Sequence, residues 1–183
     1  AHASLLFHSP AHPHSHRSMR LPPLSVLCLH GYTQSGSIMR AQTRRVAERC
    51  SARVRFTFVD APFSAGDGHA WWVPERDESG GWIYNGVDEA LGVLAEAEAA
   101  ERRVHGSGFA GVLGFSQGGA LASLAVALHE HERLGRPAGP DAPAPPFPKL
   151  GFALFAGAFA YRAAAPSYDR LIDSVSPMCL PSL

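Results

Sequence analysis

No excess of charge of either sign runs through the chain: sixteen basic residues face sixteen acidic ones. That balance removes the field that would draw in nucleic acid or an anionic membrane surface, and it points to a neutral or mixed small molecule as partner. Long apolar runs are absent as well, since none approaches the ~20 residues needed to cross a bilayer. Cysteine is scarce. Cys28, Cys50 and Cys179 are odd in number and form neither a C-x-x-C pair nor a metal-ligand spacing, so they read as packing residues in a reducing compartment. No motif asks for a metal or an organic cofactor. What remains is 183 residues at 46% hydrophobic and 9% aromatic content, enough for one domain with its own core.

Residues 1–18, AHASLLFHSPAHPHSHRS, hold five histidines and no acidic residue, with no periodicity that could bury a face. This His-rich leader is expected to be disordered. Nothing rigid holds His8, His12, His14 and His16 in one coordination geometry, which argues against a metal site. Met19 then opens the run MRLPPLSVLCLH, so the leader reads either as upstream translated sequence or as a transit segment. The folded domain is expected over 19–183.

From residue 24 strand-like and helix-like pieces alternate, which predicts an α/β fold, a mostly parallel sheet flanked by helices. Strands are expected at Leu24–Leu29, Val54–Val59, Phe109–Phe115 and Leu150–Phe155, each short and apolar as burial on both faces requires. Residues 87–104 place Val87, Leu91, Leu94, Ala97 and Val104 at helical spacing. Asp88 and Glu89 open that helix and Arg102 and Arg103 close it, in accord with the helix dipole. A second helix is expected from Gly118 to about Glu130. It ends at GRPAGPDAPAPPFP, read as a proline-rich surface loop.

The chemistry-bearing motif lies between the third strand and that helix. Gly114, Ser116 and Gly118 form G-x-S-x-G, directly after a strand and directly before a helix. A strand that turns sharply into a helix holds its serine in a strained backbone conformation, and its close neighbours must lack side chains. The hydroxyl then projects above the carboxyl edge of the sheet, and the Gln117 amide, at the helix start, faces developing negative charge. Ser116 is therefore the expected nucleophile of an α/β-hydrolase. A second oxyanion donor is needed, and the amide of Tyr32, after the strand that ends in His30-Gly31, is assigned to it. His30 itself reads as structural, because the order in this fold is Ser, then acid, then His. Asp60, before Ala-Pro, reads as a turn former. The stretch 61–85 carries Phe63, Trp71, Trp72, Trp82 and Tyr84. It is either a lid or acyl-pocket wall, with Phe63, Trp71 and Trp72 as the pocket residues, or a cover for the sheet. Trp71 and Trp72 cannot both point the same way if extended.

The pieces LCLHGYTQSGSIMRAQT, FTFVDAPFSAGDGHAWW, YNGVDEAL, FAGVLGFSQGGALASLAV and LGFALFAGAFAYRAAAPSYDRLI occur in the order and approximate spacing of the FSH family of serine hydrolases, which the chain resembles over about residues 24–173. GFSQGG alone is also similar to acyl-protein thioesterases; LHGYTQS and VDAPF favour the FSH group. The resemblance implies hydrolysis of short-chain or medium-chain carboxylic esters through an acyl-enzyme on Ser116, no metal, and a cytoplasmic setting, with the nucleus left open as a second one. It leaves oligomeric state open.

A nucleophile needs a base within hydrogen-bond reach and an acid that orients the base. After Ser116 the only histidines are His129 and His131, which the helical rise places ~20 Å away. The later acids are Asp141 in the proline-rich loop and Asp169 and Asp173 in an expected helix, and none ends a strand. In the family the next elements are a strand ending at the catalytic Asp and a loop carrying the His. The expectation is thus an incomplete α/β-hydrolase lacking its C-terminal strand or strands, with an open sheet edge beside Leu150–Phe155. Such a form is either part of an esterase or a non-catalytic binder.

Overall fold

The computed structural model describes residues 21–135 and 143–158. The leader, Asp141, Asp169, Asp173 and Cys179 lie outside the described residues.

Four parallel strands form the central sheet: β1 (Leu24–Leu29), β2 (Val54–Val59), β7 (Gly111–Phe115) and β8 (Phe152–Ala156), in the order β2-β1-β7-β8. Between β2 and β7 lie two antiparallel hairpins, β3 (Phe63–Ala65) with β4 (Gly68–Ala70), and β5 (Val73–Arg76) with β6 (Trp82–Asn85). The helices are α1 (Gly36–Cys50), α2 (Val87–His105) and α3 (Gln117–Arg133). None of the described helices is long and apolar enough to cross a membrane.

Strand β1 sits between two neighbours, and its residues 25–29 are all buried. Alternation sends Leu27 and Leu29 into the main core with Val112, Leu94, Leu121 and Leu124, while Val26 and Cys28 meet Met39 of α1 on the other face. Burial pushes the Cys28 thiol up to about 12, so it packs as an inert small apolar group. The outer strands differ from the expectation of full burial. Strand β2 is half-buried throughout, and β8, which has no neighbour on its outer side among the described residues, exposes Phe152 and Leu154.

Helix α1 falls between the first two strands, where the alternation expects a helix, but the sequence reading set no bounds for it because its inward face is short and weakly apolar, with only Gly36 and Met39 buried. Its start is clear in the structure. The Ser35 hydroxyl accepts from the Ile38 N–H, and the Asp60 carboxylate accepts from the Gly36 N–H at 2.7 Å. Asp60 is thus structural as read, but it holds a helix N-terminus across 24 residues of chain.

Helix α2 follows its expected stripe at Val87, Leu91 and Leu94, whereas Val104 is exposed. Glu98 and Glu101 continue the buried face in its place. Glu98 accepts from the Phe109 N–H at 2.8 Å and from Arg102 at 2.7 Å; Glu101 accepts from the Ser25 hydroxyl at 2.6 Å and from Arg55 at 3.0 Å. These bonds tie the end of α2 to the starts of β1, β2 and β7. The described end of the proline-rich stretch, residues 143–148, also departs from the surface-loop reading. Phe147 is fully buried in the main core, and the His129 Nδ1 lies 3.0 Å from its carbonyl oxygen.

Candidate active site

Ser116 ends β7 and caps α3 with φ 51° and ψ −117°, a left-handed backbone that a non-glycine residue adopts at a cost of about 1–3 kcal/mol. Two contacts impose it. The Ser116 N–H donates to the Ala156 carbonyl at 2.9 Å, and its own carbonyl accepts from the Ala120 N–H in the first turn of α3. The flanking glycines answer two separate crowding problems. A Cβ on Gly114 would overlap the backbone of Gly118 and Gly119, and one on Gly118 would overlap the carbonyl oxygens of Leu29 and His30 at the end of β1. Helix α3 therefore begins in direct contact with the strand that leads to Tyr32.

The turn after β1 is held from both sides. The Gly31 N–H donates to the Gln34 side-chain oxygen at 3.0 Å, the Gln34 N–H returns to the Gly31 carbonyl at 3.1 Å, and the His69 N–H donates to the Gln34 carbonyl at 2.8 Å. This packing brings Tyr32, Ser116 and Gln117 to one cavity of about 270 Å³, whose other walls are Trp72, Pro74, Trp82 and Tyr84. The α3 N-terminus supplies backbone N–H groups without helical acceptors, and it carries the positive end of the helix dipole.

The aromatic segment divides in a way the sequence only half reveals. Trp72 lines the cavity, its ring 5.6 Å from that of Tyr84. Trp71 turns the other way into the core, and its indole N–H donates to the His30 carbonyl at 2.8 Å. Phe63 packs against Gly86 at the start of α2 and is not part of the cavity wall. Of the three expected pocket residues Trp72 alone lines this cavity, whereas Trp71 and Phe63 do not, and Pro74, Trp82 and Tyr84 form the wall beside it. Trp82 stands at the rim under the Arg76 guanidinium, 3.7 Å from its ring centroid. The Gln117 side chain fixes this wall. Its oxygen accepts from the Trp71 N–H at 2.9 Å and its amide donates to the Trp72 carbonyl at 3.0 Å.

His30 is fully buried and both ring nitrogens are committed. Nε2 accepts from the Ala61 N–H at 3.0 Å, which places the proton on Nδ1, 2.8 Å from the Gly31 carbonyl oxygen. The sequence reading took it as structural, and its two hydrogen bonds make it a clamp between two loops. Burial lowers its proton affinity below the ordinary 6.5, and this outweighs the Gly31 carbonyl and the Asp60 charge, which favour the proton; nearby His69 disfavours it. The unfolded chain thus takes up a proton that the folded one resists, so this contribution to stability is complete above pH 6.5 and declines as pH falls through 6.5 toward the lowered native value. The urea midpoint should drop between about pH 7.5 and about pH 5.5, more steeply in the wild type than in His30→Gln. Equal slopes would show that His30 is not a source of the acid sensitivity.

Neither histidine nor carboxylate is among the residues lining this cavity. Among the described residues, His129 and His131 lie in the last part of α3 and His105 ends α2. No group of three or more His, Cys, Asp or Glu side chains among the described residues could hold a metal ion. A larger cavity of about 640 Å³ lies at the other end of the sheet, where α2 and α3 finish. There Arg102 and Arg133 answer Glu98 and Glu130, and the chemistry at Ser116 is out of its reach.

Similarity to known proteins agrees with this geometry. Esterase OVCA2 of Danio rerio is 29% identical over 136 residues, covering 62% of this chain and 60% of that protein. A probable esterase of Aspergillus terreus is 33% identical over 122 residues, covering 59% of this chain and 46% of that protein. The chain thus spans less than two thirds of the length of these relatives. The crystal structure of Zea mays acyl-protein thioesterase 2 superposes with a TM-score of 0.56 over 85% of this chain and 64% of that one, at 18% identity, a likeness of fold. The description of the serine hydrolase (FSH1) family matches residues 19–183, and the chain belongs to that family.

Proposed function

We propose that this chain carries the nucleophile and oxyanion half of a carboxylic ester hydrolase. The observation that supports it most is the shared cavity of Ser116, Tyr32 and Gln117 at a strained strand-to-helix turn. In the proposed reaction the Ser116 Oγ bonds to the ester carbonyl carbon while a base takes its proton. The carbonyl oxygen becomes an oxyanion under the Tyr32 and Gln117 amides, and the alcohol leaves with the proton. Water then releases the acid by the same path in reverse. The cavity of about 270 Å³ has apolar walls and is smaller than the about 300–1,000 Å³ of drug-sized sites, which suits a short-chain or medium-chain acyl group. A thioester would meet the same donors. Unpaired Cys28 and Cys50 support a cytoplasmic setting.

The test uses a form that also carries the family's strand, Asp and His. With p-nitrophenyl butyrate it should accumulate an acyl adduct on Ser116, visible by mass spectrometry. Ser116→Ala should lose the adduct and about 10⁴-fold or more of turnover while unfolding at an unchanged urea midpoint. Wild-type turnover in the Ala variant would remove Ser116 from the reaction. The uncharged cavity wall also supports a second reading, in which the chain by itself binds ester-like molecules without turning them over.

A further inference from the structure

We propose that the exposed face of α1 docks on an anionic lipid surface. The balance of charge over the whole chain conceals an uneven distribution. Between Gly36 and Arg55 lie Arg40, Arg44, Arg45, Arg49, Arg53 and Arg55, six of the sixteen basic residues, but only Glu48 of the sixteen acidic ones. Ten basic and fifteen acidic residues serve the rest of the chain. Screening makes the local excess, and not the chain-wide sum, the quantity that a flat partner meets. The Debye length is about 8 Å at physiological salt, whereas the 15 residues of α1 extend about 22 Å.

Tertiary contacts decide which of these charges are free to act. Arg44 pairs with Glu48 at 2.9 Å, Arg55 with Glu101 at 3.0 Å, and the Arg40 guanidinium lies over the Phe58 ring, 4.8 Å from its centroid. Arg45, Arg49 and Arg53 form no ion pair among the described residues. Ile38, Gln42, Arg45, Val46 and Arg49 recur at i, i+4, i+7, i+8 and i+11, and all five are exposed, so they form one stripe along the helix. Arg53 extends it past the helix end. Its N–H donates to the Cys50 carbonyl at 2.8 Å, and its own carbonyl accepts from the Leu24 N–H at 2.8 Å. The apolar members of this surface select among anionic partners. Ile38, Val46 and Leu24 stand 41%, 57% and 52% exposed. Apolar side chains between unpaired arginines match a lipid headgroup region, where the guanidinium forks meet phosphates and the apolar groups reach the acyl boundary. A nucleic acid would engage the arginines but leave Ile38 and Val46 in water, and a single strand asks for aromatic rings to stack its bases, of which α1 carries none.

Vesicle flotation with the full chain tests the docking and does not depend on chemistry at Ser116. The chain should rise with phosphatidylcholine vesicles that contain phosphatidylserine and stay behind with phosphatidylcholine alone, and added salt should release it. Arg45→Gln together with Arg49→Gln should weaken binding about 25-fold, at about fivefold for each arginine, whereas Arg45→Lys with Arg49→Lys should retain it. Arg103→Gln with Lys149→Gln is the control pair: it removes the same charge from exposed positions off this face and should weaken binding less than about twofold. Val46→Ser, which leaves the charge unchanged, should weaken binding about threefold or more. No flotation with phosphatidylserine, equal losses in the two glutamine pairs, or indifference to Val46→Ser would each overturn the proposal. Indifference to Val46→Ser combined with tighter binding of an RNA oligonucleotide would assign the face to nucleic acid instead.

Discussion

Residues 1–183 are expected to react with a fluorophosphonate probe at Ser116 only slowly, and a C-terminal extension carrying the family's strand, Asp and His should accelerate labelling by about 10⁴-fold or more. The reason is the placement of histidine. Of the ten in the chain, His2, His8, His12, His14 and His16 lie in the leader. His30 spends both nitrogens on Ala61 and Gly31. His105, His129 and His131 belong to the far ends of α2 and α3, and His69 pairs through β4 beside Gln34 and is not part of the cavity wall. Without a base the Ser116 hydroxyl stays protonated near neutral pH. In the proposed site the Tyr32 and Gln117 amides would still face an oxyanion, and in well-studied triads such a remnant retains about 10³–10⁴ over water. Rapid stoichiometric labelling of the 183-residue chain at Ser116 would contradict this, because it would require one of these histidines to reach the serine.

Gly118→Ala should be among the most damaging single-methyl changes in the molecule. The added carbon would enter the carbonyl oxygens of Leu29 and His30, which are backbone and cannot rotate aside. Helix α3 would have to retreat from the end of β1, separating the Gln117 amide from that of Tyr32. Overpacking of this kind costs about 1–3 kcal/mol, with the upper end expected where the obstacle is main chain. Gly92→Ala is the matched comparison. Gly92 lies inside α2 with open space around its missing Cβ, so alanine should raise stability by about 0.5–1 kcal/mol. Urea unfolding of the two variants should therefore shift in opposite directions, and a shared direction or a negligible Gly118 effect would refute the crowding argument.

The elements that were legible in the sequence are those governed by local rules. Strands β1 and β2 carry the expected bounds because short apolar runs between turn signals leave few alternatives. Helix α2 follows from its stripe and its end charges, and the elbow at Ser116 from the spacing of Gly114, Ser116 and Gly118 between a strand and a helix, although the crowding at Gly118 comes from Leu29 and His30 at the end of β1. Helix α1 was left without bounds where this logic fails. A surface helix with a narrow inward face shows little period, and the Asp60 carboxylate that holds its first turn comes from another strand end.

What the sequence by itself determined, then, is the α/β alternation and the elbow that presents Ser116 as the candidate nucleophile, with the Tyr32 and Gln117 amides as candidate oxyanion donors. Only the tertiary structure decided which rings face Ser116, why two glutamates of α2 are buried, and why His30 cannot act as a base. Each depends on a partner distant in the chain: Gln117 holds the Trp71 amide across 46 residues, Glu101 meets Ser25 across 76, and Ala61 engages His30 across 31. A buried polar group must find its hydrogen-bond partner wherever packing puts one, and neither residue type nor periodicity records where that is.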